Sequence, residues 1–189
     1  MSEETPPQRI DHGALEGARL GVARSEHWPA VEKAFRDAHP TCAACADPEV
    51  PRGAVQVHHI NPFHYCLDPG IGRPDLELDP RNLISLCETE ASEVEQNHHL
   101  DIGHLGNFKE GNLLVAQDAA GRYHGMTSVD IQKDADWLTE ERVGRLKPLD
   151  EMSPAEKQAF RARLDQELPP DAAILEKYGI VVVTLHPLV

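Results

Sequence analysis

Cys42-Ala43-Ala44-Cys45 begins a part of the chain that returns repeatedly to cysteine and histidine. Val57-His58-His59-Ile60 comes next, followed by Asn82-Leu83-Ile84-Ser85-Leu86-Cys87 and then by Asn97-His98-His99 with His104. Zinc prefers thiolate and imidazole ligands, and a histidine near its ordinary pKa can also act as a base. The order therefore supplies two sets of metal ligands, one rich in thiolates and one rich in imidazoles.

The thiolate-rich set has the spacing of a structural zinc knuckle. A Cys-x-x-Cys turn presents two thiolates at the geometry of tetrahedral zinc, and Cys42 and Cys45 form such a pair. Cys87 follows an apolar run and is the expected third ligand. We expect His98 to be the fourth, with Cys66 as its rival, although free cysteines are often just small buried apolar residues. Zinc bound here would contribute directly to folding.

The imidazole-rich set suits a second divalent cation with a base beside it. His58 and His59 are neighbours on a predicted strand, so their side chains point to opposite faces, and one can bind a metal while the other acts as a general base. His99 and His104 flank Gly103, which breaks a predicted helix and lets both turn toward one cation. Such a cation would polarise a phosphodiester oxygen while the base activates water. The plainer interpretation is a set of surface histidines in a loop-rich region.

The apolar spacing predicts a mixture of helices and strands. Residues 1–24 look like a polar arm followed by a short helix, and Ser25 is the expected N-cap of the next helix, which ends at His39-Pro40. Ser153-Pro154-Ala155-Glu156 predicts a helix with a capping box, which Pro169-Pro170 stops. Four further elements are predicted: strands over 54–60 and 83–86, a helix over 88–99, and a buried strand or docking segment over 179–185.

The composition is that of an ordinary globular chain of 189 residues, with 40% hydrophobic and 26% charged residues. No apolar run approaches the roughly 18–20 residues needed to span a bilayer. Residues 1–7 are acidic and polar, unlike a secretory signal, so we expect a cytoplasmic protein with reduced or zinc-bound cysteines. The net charge of −14 weighs against tight DNA binding, because such affinity comes largely from neutralised phosphates.

Nearly half of the chain, from about residue 24 to residue 112, resembles the HNH endonucleases of the ββα-metal superfamily, and most closely their bacterial and phage group. Five motifs carry the resemblance: Trp28-Pro29, Cys-x-x-Cys at 42–45, Val-His-His-Ile-x-Pro-Phe at 57–63, Leu-Glu-Leu-Asp-Pro-x-Asn-Leu-Ile-x-Leu-Cys at 76–87, and His-Leu-x-x-Gly-His-x-Gly-Asn at 99–107. The resemblance implies an α+β fold with a ββα-metal core and a structural zinc, flanked by N- and C-terminal helices. It divides the chain into an arm with a short helix (1–24), a nuclease domain (25–112) and a mostly helical extension (113–189).

The resemblance also implies roles for single residues. His58 would bind the catalytic metal, His59 would be the general base, and Asn82 would fix the loop that orients the base. His99 would be the final motif histidine on the metal, with His104 as a further ligand. The structural zinc ligands would be Cys42, Cys45, Cys87 and His98, where His98 stands in place of the family's usual fourth cysteine.

The sequence thus predicts an HNH endonuclease that hydrolyses DNA by a one-metal mechanism, using Mg²⁺, Mn²⁺, Ni²⁺ or Zn²⁺ beside the structural Zn²⁺. Arg73, Arg81 and Lys109 are candidate contacts to the scissile phosphate, although exposed basic residues are usually just solvated. The alternative is a zinc-stabilised module that has lost cleavage and binds a protein partner through its acidic surface or the C-terminal extension.

Overall fold

The computed structural model describes residues 23–46, 54–88, 96–137, 139 and 142–182. Within them, helices combine with one small sheet, which gives the α+β organisation that the sequence predicts. The sheet pairs β1 (Ala54–His59) with β2 (Leu83–Glu88) in antiparallel register. His58 lies opposite Ile84 and His59 opposite Leu83, so the two histidines stand at the end of the sheet where the loop between the strands begins.

Short helices surround this hairpin. We number the α-helices in chain order: α1 (Trp28–Ala38), α2 (Phe63–Cys66), α3 (Val115–Gln117), α4 (Ser128–Ile131), α5 (Pro154–Glu167) and α6 (Ala172–Tyr178). Tighter 3₁₀ turns lie at Pro74–Glu77, Pro80–Asn82 and Leu149–Glu151, and wider π-helical turns at His99–Gly103 and Asp118–Arg122. None of the helices among the described residues combines the length and apolar character that crossing a membrane requires.

Helix α1 ends where the sequence predicts, but it begins later than predicted. Its N-cap is His27, and Ser25 lies outside the helix with its backbone N–H donating to the Glu77 carboxylate at 3.0 Å. The helix ends at Ala38, in keeping with the restriction that a proline places on the residue before it. Trp28 is buried by packing in the same cluster as Leu83, the first residue of β2.

Helix α5 begins as its sequence predicts. Ser153 accepts from the Glu156 backbone N–H, and the Glu156 carboxylate accepts from the Ser153 backbone N–H, which completes the capping box. Phe160 and Leu164 are buried against the loop that follows α2. Arg161 reinforces this contact by donating to the Ile71 carbonyl at 2.7 Å. The C-terminal part of the chain therefore packs directly on the loop between the strands.

Three other predicted elements differ from the structure or lie outside its described residues. In the helix predicted over 88–99, Glu88 belongs to β2 and residues 89–95 are not described. Among the described residues that follow, a helical turn begins near His99, where the Asn97 side chain accepts from the Leu100 N–H at 2.9 Å. Residues 179–182 of the predicted final strand form a turn and an irregular segment, because Gly179 ends α6 with a positive φ of 62°, and residues 183–189 are not described. The predicted arm and first helix fall almost wholly in residues 1–22, outside the described part of the chain.

Candidate metal centres and active site

The predicted zinc ligands converge on one point. Ligand atoms of Cys42, Cys45, Cys87 and His98 all lie within 4.8 Å of one another. His98 Nδ1 is 3.4 Å from the sulfurs of Cys42 and Cys87 and 3.7 Å from that of Cys45, and the Cys45 and Cys87 sulfurs are 3.9 Å apart. A tetrahedral zinc ion with sulfur ligands at about 2.3 Å and nitrogen at about 2.0 Å separates its ligand atoms by roughly 3.5–3.8 Å. The side chains form a Cys₃His group that could hold zinc.

The fourth ligand is oriented by a backbone contact. His98 Nε2 lies 2.9 Å from the Met126 carbonyl oxygen, which can only accept, so Nε2 carries the proton. In the neutral ring the lone pair is then on Nδ1, the atom that faces the three sulfurs. Cys66 is not part of this group: its buried sulfur contacts the Asn61 carbonyl at 3.7 Å, and burial raises the pKa of its thiol to about 12. The geometry thus favours His98 over Cys66.

The pKa values in the Cys₃His group indicate that its members share negative charge. Hydrogen bonds from Cys45 and Cys87 hold the pKa of the Cys42 thiol far below its usual value, while hydrogen bonds to Cys42 and Cys45 raise the pKa of Cys87. Burial disfavours a charged His98, but hydrogen bonds to Cys42 and Cys45 outweigh it and raise the pKa of this imidazole to about 10. These shifts place a Cys42 thiolate beside a His98 imidazolium. Zinc binding would replace this ion pair and release the imidazolium proton.

The predicted histidine ligands form a second group, and its member His99 directly follows His98 of the first group. Ligand atoms of His58, His99 and His104 lie within 4.8 Å of one another, and all three residues are buried. The His58 ring is T-shaped to both partners, with centroids 5.2 Å from His99 and 4.8 Å from His104. The alternative interpretation, that these are surface histidines, is therefore wrong for this set, since the fold gathers them inside the protein.

Two outer contacts aim the rings of this triad. His99 Nδ1 lies 3.0 Å from the Glu88 carboxylate, and His104 Nδ1 lies 2.9 Å from the Glu110 carbonyl oxygen. Each acceptor holds the proton on Nδ1, so each ring presents its Nε2 lone pair to the interior of the triad. A carboxylate or carbonyl behind a histidine is the usual support of a metal ligand.

His58 supplies the clearest sign that the triad suits a metal ion. Its Nε2 is buried and has no hydrogen-bond partner among the described residues, which is costly for a polar atom. Burial, and then the neighbouring charges of His104 and His99, lower the pKa of His58 well below its ordinary value, which keeps the ring neutral. The chain also makes room for this ring, because a Cβ on Gly103 would lie only 3.0 Å from the His58 ring carbon Cε1. A neutral His58 that converges with two further imidazoles offers the ligand chemistry of a divalent transition metal.

His59 faces a separate pocket, as the alternation of the strand predicts. Its ring packs on Trp28, with centroids 4.6 Å apart, and on Phe63 at 5.7 Å. Its Nε2 donates to the Glu77 carbonyl oxygen at 3.0 Å, so the neutral ring carries its lone pair on Nδ1. Burial and the charge of Arg24 lower the pKa of His59 to about 3, below the near-neutral value expected for a base. His59 is therefore unprotonated at neutral pH, but an imidazole with so low a pKa is a weaker base than the one that the sequence predicted.

Asn82 holds the loop that orients His59. Its Oδ1 accepts from the backbone N–H of Asn61 at 2.8 Å, and its Nδ2 donates to the Leu76 carbonyl at 2.9 Å. The next residue, Glu77, supplies the carbonyl that binds His59. A single buried amide thus ties the end of β1 to the turn that carries the acceptor for the base.

The three basic residues predicted to contact phosphate lie in different surroundings. Arg73 is fully buried, bonded through Nε and Nη2 to Asp75 and through Nη1 to Asp165, and cannot reach a phosphate there. Arg81 is partly exposed, but its guanidinium is held by Asp79. Lys109 is exposed and follows Phe108, whose ring lies 5.0 Å from that of His104. Lys109 alone of the three stands beside the triad.

Some residues of the site escaped sequence reasoning. Glu88 and Arg24 were not singled out as parts of it, yet Glu88 contacts His99 and Arg24 lowers the pKa of His59. Gly103 was expected to break a helix, but not to make room for the His58 ring. Position supplied a signal for Glu88, which directly follows Cys87, and for Gly103, which precedes His104. Arg24 gave none, because it approaches His59 only through the tertiary fold.

Comparisons of the chain with family models, with curated proteins and with solved structures return no match.

Proposed function

We propose that the chain is a metal-dependent endonuclease of the HNH type, which hydrolyses DNA phosphodiester bonds with one catalytic cation and a histidine base. The observation that carries the proposal is the triad of buried imidazoles, whose ligand atoms lie within 4.8 Å of one another, beside a fourth buried histidine, His59, whose proton is held on one nitrogen. The antiparallel hairpin of β1 and β2, with a helical turn at His99–Gly103 after it, agrees with a ββα-metal core.

The residues divide the chemistry as follows. His58, His99 and His104 would hold a divalent cation, which, when bound, would supply a Lewis acid for a phosphoryl oxygen and for the leaving 3′ oxygen. His59, with its lone pair on Nδ1, would accept a proton from the attacking water. The Cys₃His group would hold structural zinc and keep His98, and with it His99, in place.

One observation favours a second candidate, a zinc-stabilised module that binds a protein partner without cutting DNA. The net charge is −14, and residues 42–112 contain 12 Asp and Glu against 4 Lys and Arg. A protein of this net charge repels a polyanion and attracts basic proteins. In that case the triad could still bind a metal, but purely to support the fold.

A nicking assay separates the two candidates. Supercoiled plasmid is incubated with the protein and Mg²⁺, Mn²⁺, Ni²⁺ or Zn²⁺, beside the variants His59→Ala and His124→Ala. His124 is an exposed histidine outside both groups and serves as the matched control. We expect nicking by the wild type and by His124→Ala, and a loss of about 10²–10⁴-fold for His59→Ala, as for removal of a general base. If none of the four metals supports nicking, or if His59→Ala nicks as fast as the wild type, the enzyme proposal is rejected and the binding module remains.

A further inference from the structure

The turn that carries the triad ends in backbone carbonyls that the turn itself does not satisfy. This turn, His99–Gly103, lies directly before His104, so it links two of the three candidate ligands. The last carbonyls of a helix have no partner within it, and a buried carbonyl without a donor is costly. Ile102 and Gly103 are both buried. The donors that reach these carbonyls therefore determine how firmly the turn is held.

Two residues from further along the chain bind three of these carbonyls. Asn112 donates from its side-chain Nδ2 to the Ile102 carbonyl at 2.9 Å and from its backbone N–H to the Gly103 carbonyl at 3.2 Å. Trp137 donates from Nε1 to the Asp101 carbonyl at 2.8 Å. The exposed fractions of Asn112 and Trp137 are only 1% and 4%, so water has little access to these bonds.

Asn112 is itself held by residues that follow it. Its Nδ2 also donates to the Asp118 carboxylate at 2.7 Å, and its Oδ1 accepts from the Leu114 backbone N–H at 3.0 Å. Asp118 is paired in turn with the buried guanidinium of Arg142, which donates to the Tyr123 hydroxyl at 2.8 Å. Both Nδ2 protons of Asn112 are thus used, and its amide cannot rotate without losing hydrogen bonds.

We propose that Asn112 and Trp137 are positioning residues for the divalent cation of the triad. By binding the carbonyls at the end of the turn, they fix the placement of the His99 and His104 rings relative to each other. The assignment rests on the proposed nuclease function. It also gives residues 113–189 a role that the resemblance did not supply, because Trp137 and the partners of Asn112 lie there.

The test uses substitutions that change few atoms. Asn112→Asp replaces the amide that donates to the Ile102 carbonyl by a carboxylate, and Trp137→Phe keeps an aromatic ring but removes Nε1. Gln117→Glu is the matched control, because it also turns an amide into a carboxylate, but at an exposed position of α3. Each protein is loaded with zinc, and its zinc content and circular dichroism report whether it is folded.

Two measurements on the zinc-loaded proteins separate positioning from plain support of the fold. Isothermal titration gives the affinity for Mn²⁺ or Ni²⁺, with His104→Ala as the variant that assigns the bound cation to the triad. The visible spectrum of added Co²⁺ reports the arrangement of its ligands. A residue that only stabilises the fold changes neither quantity in the folded protein. Nicking is also followed against Mn²⁺ concentration.

We expect Asn112→Asp and Trp137→Phe to bind Mn²⁺ or Ni²⁺ about tenfold more weakly than the wild type or worse, as for the loss of other contacts that orient metal ligands. Their Co²⁺ spectra should differ from that of the wild type. Half-maximal nicking should need correspondingly more Mn²⁺, because the defect lies in cation binding. Gln117→Glu should match the wild type in all three measurements.

If the folded Asn112→Asp and Trp137→Phe proteins bind the cation as tightly as the wild type and give the same Co²⁺ spectrum, the assignment is overturned while the nuclease proposal stands. If Asn112→Asp does not fold, Trp137→Phe decides by the same criterion. If the zinc-loaded wild type binds no divalent cation, or binds it equally well after His104→Ala, the nuclease proposal fails and the assignment fails with it.

Discussion

At the scale of single residues, the site depends on side chains that are small or placed behind the ligands. Gly103 lets the His58 ring lie against the turn that carries His99 and His104. Glu88 and the Glu110 carbonyl turn the other two rings inward. The histidines of the triad stand out in the sequence, but the atoms that orient them do not.

Gly103→Ala tests this close approach. The added Cβ would lie 3.0 Å from the His58 ring and must displace it. We therefore expect the affinity of the triad for a divalent metal to fall by about tenfold or more, as it does when a contact that orients a ligand is lost. Isothermal titration of the zinc-loaded protein with Mn²⁺ or Ni²⁺ measures the change. Gly121→Ala is the control, because nothing lies within 4 Å of its added Cβ. Equal affinity in both variants would show that the His58 ring is not constrained there.

Two cysteine variants test the assignment of the zinc ligands. Cys87→Ser should lose zinc and unfold the core, since binding of a structural zinc contributes about 10–16 kcal/mol to folding in zinc-finger peptides. Cys66→Ser should keep its zinc, because its sulfur contacts the Asn61 carbonyl and lies outside the Cys₃His group. Metal analysis and circular dichroism give the two readouts. Release of zinc by Cys66→Ser would contradict the ligand set.

At the scale of elements, local signals were reliable and distant ones were not. The capping box of α5 was predictable because its partners, Ser153 and Glu156, are three residues apart in sequence. Ser25 was expected to be an N-cap, but its side chain accepts from the His27 backbone N–H before α1 begins, and its own backbone N–H donates to Glu77, 52 residues away. Arg73 was expected to contact phosphate, but it is buried and bonded to Asp75, two residues away, and to Asp165, which lies 92 residues further along the chain.

Helix α5 also reaches the loop that holds the base, and this contact can be tested. Arg163 donates from Nη2 to the Asn61 Oδ1 at 2.7 Å, and the Asn61 amide donates to Asn82. Arg163→Ala should leave the buried Asn61 oxygen without its donor and lower the free energy of unfolding by about 1–3 kcal/mol.

Lys147→Ala is the control for this change, because it removes an exposed ion pair to Glu156 at the start of the same helix and should cost less than about 1 kcal/mol. Chemical denaturation measures both. Equal losses in the two variants would mean that the contact with Asn61 adds nothing beyond surface charge.

At the scale of the whole molecule, the chain buries an unusual amount of neutral imidazole. His58, His59 and His64 all have pKa values lowered chiefly by burial, to about 3 for His59 and about 4 for His64. The sequence could indicate which histidines belong together, because their order follows a recognisable motif. It could not indicate their protonation, which depends on the packing of the completed fold.

This burial predicts a loss of stability in acid. A histidine whose pKa in the folded state lies below 6.5 stays neutral there, while the same histidine in the unfolded chain takes up a proton as the pH falls. Its contribution to the free energy of unfolding is therefore complete above pH 6.5 and is lost as the pH falls toward the pKa of the folded state. We expect the zinc-saturated wild type to lose free energy of unfolding between pH 7.5 and 5.5, and His64→Gln to lose less, by up to about 1 kcal/mol. Urea denaturation at both pH values measures this difference. Identical pH dependence in the two proteins would exclude a titrating role for His64.

The adjacency of His98 and His99 gives the two centres an order of disassembly. His98 belongs to the Cys₃His group and His99 to the triad, so one peptide bond joins a ligand of each. If both centres bind the proposed metals, a mild chelator should take the cation from the triad and leave zinc in the Cys₃His group. Removal of that zinc would free His98 and with it the backbone that aims His99, so the triad should not keep its cation once the zinc is lost. The proposed nuclease should therefore lose its metals in a fixed sequence, with activity disappearing before the fold does.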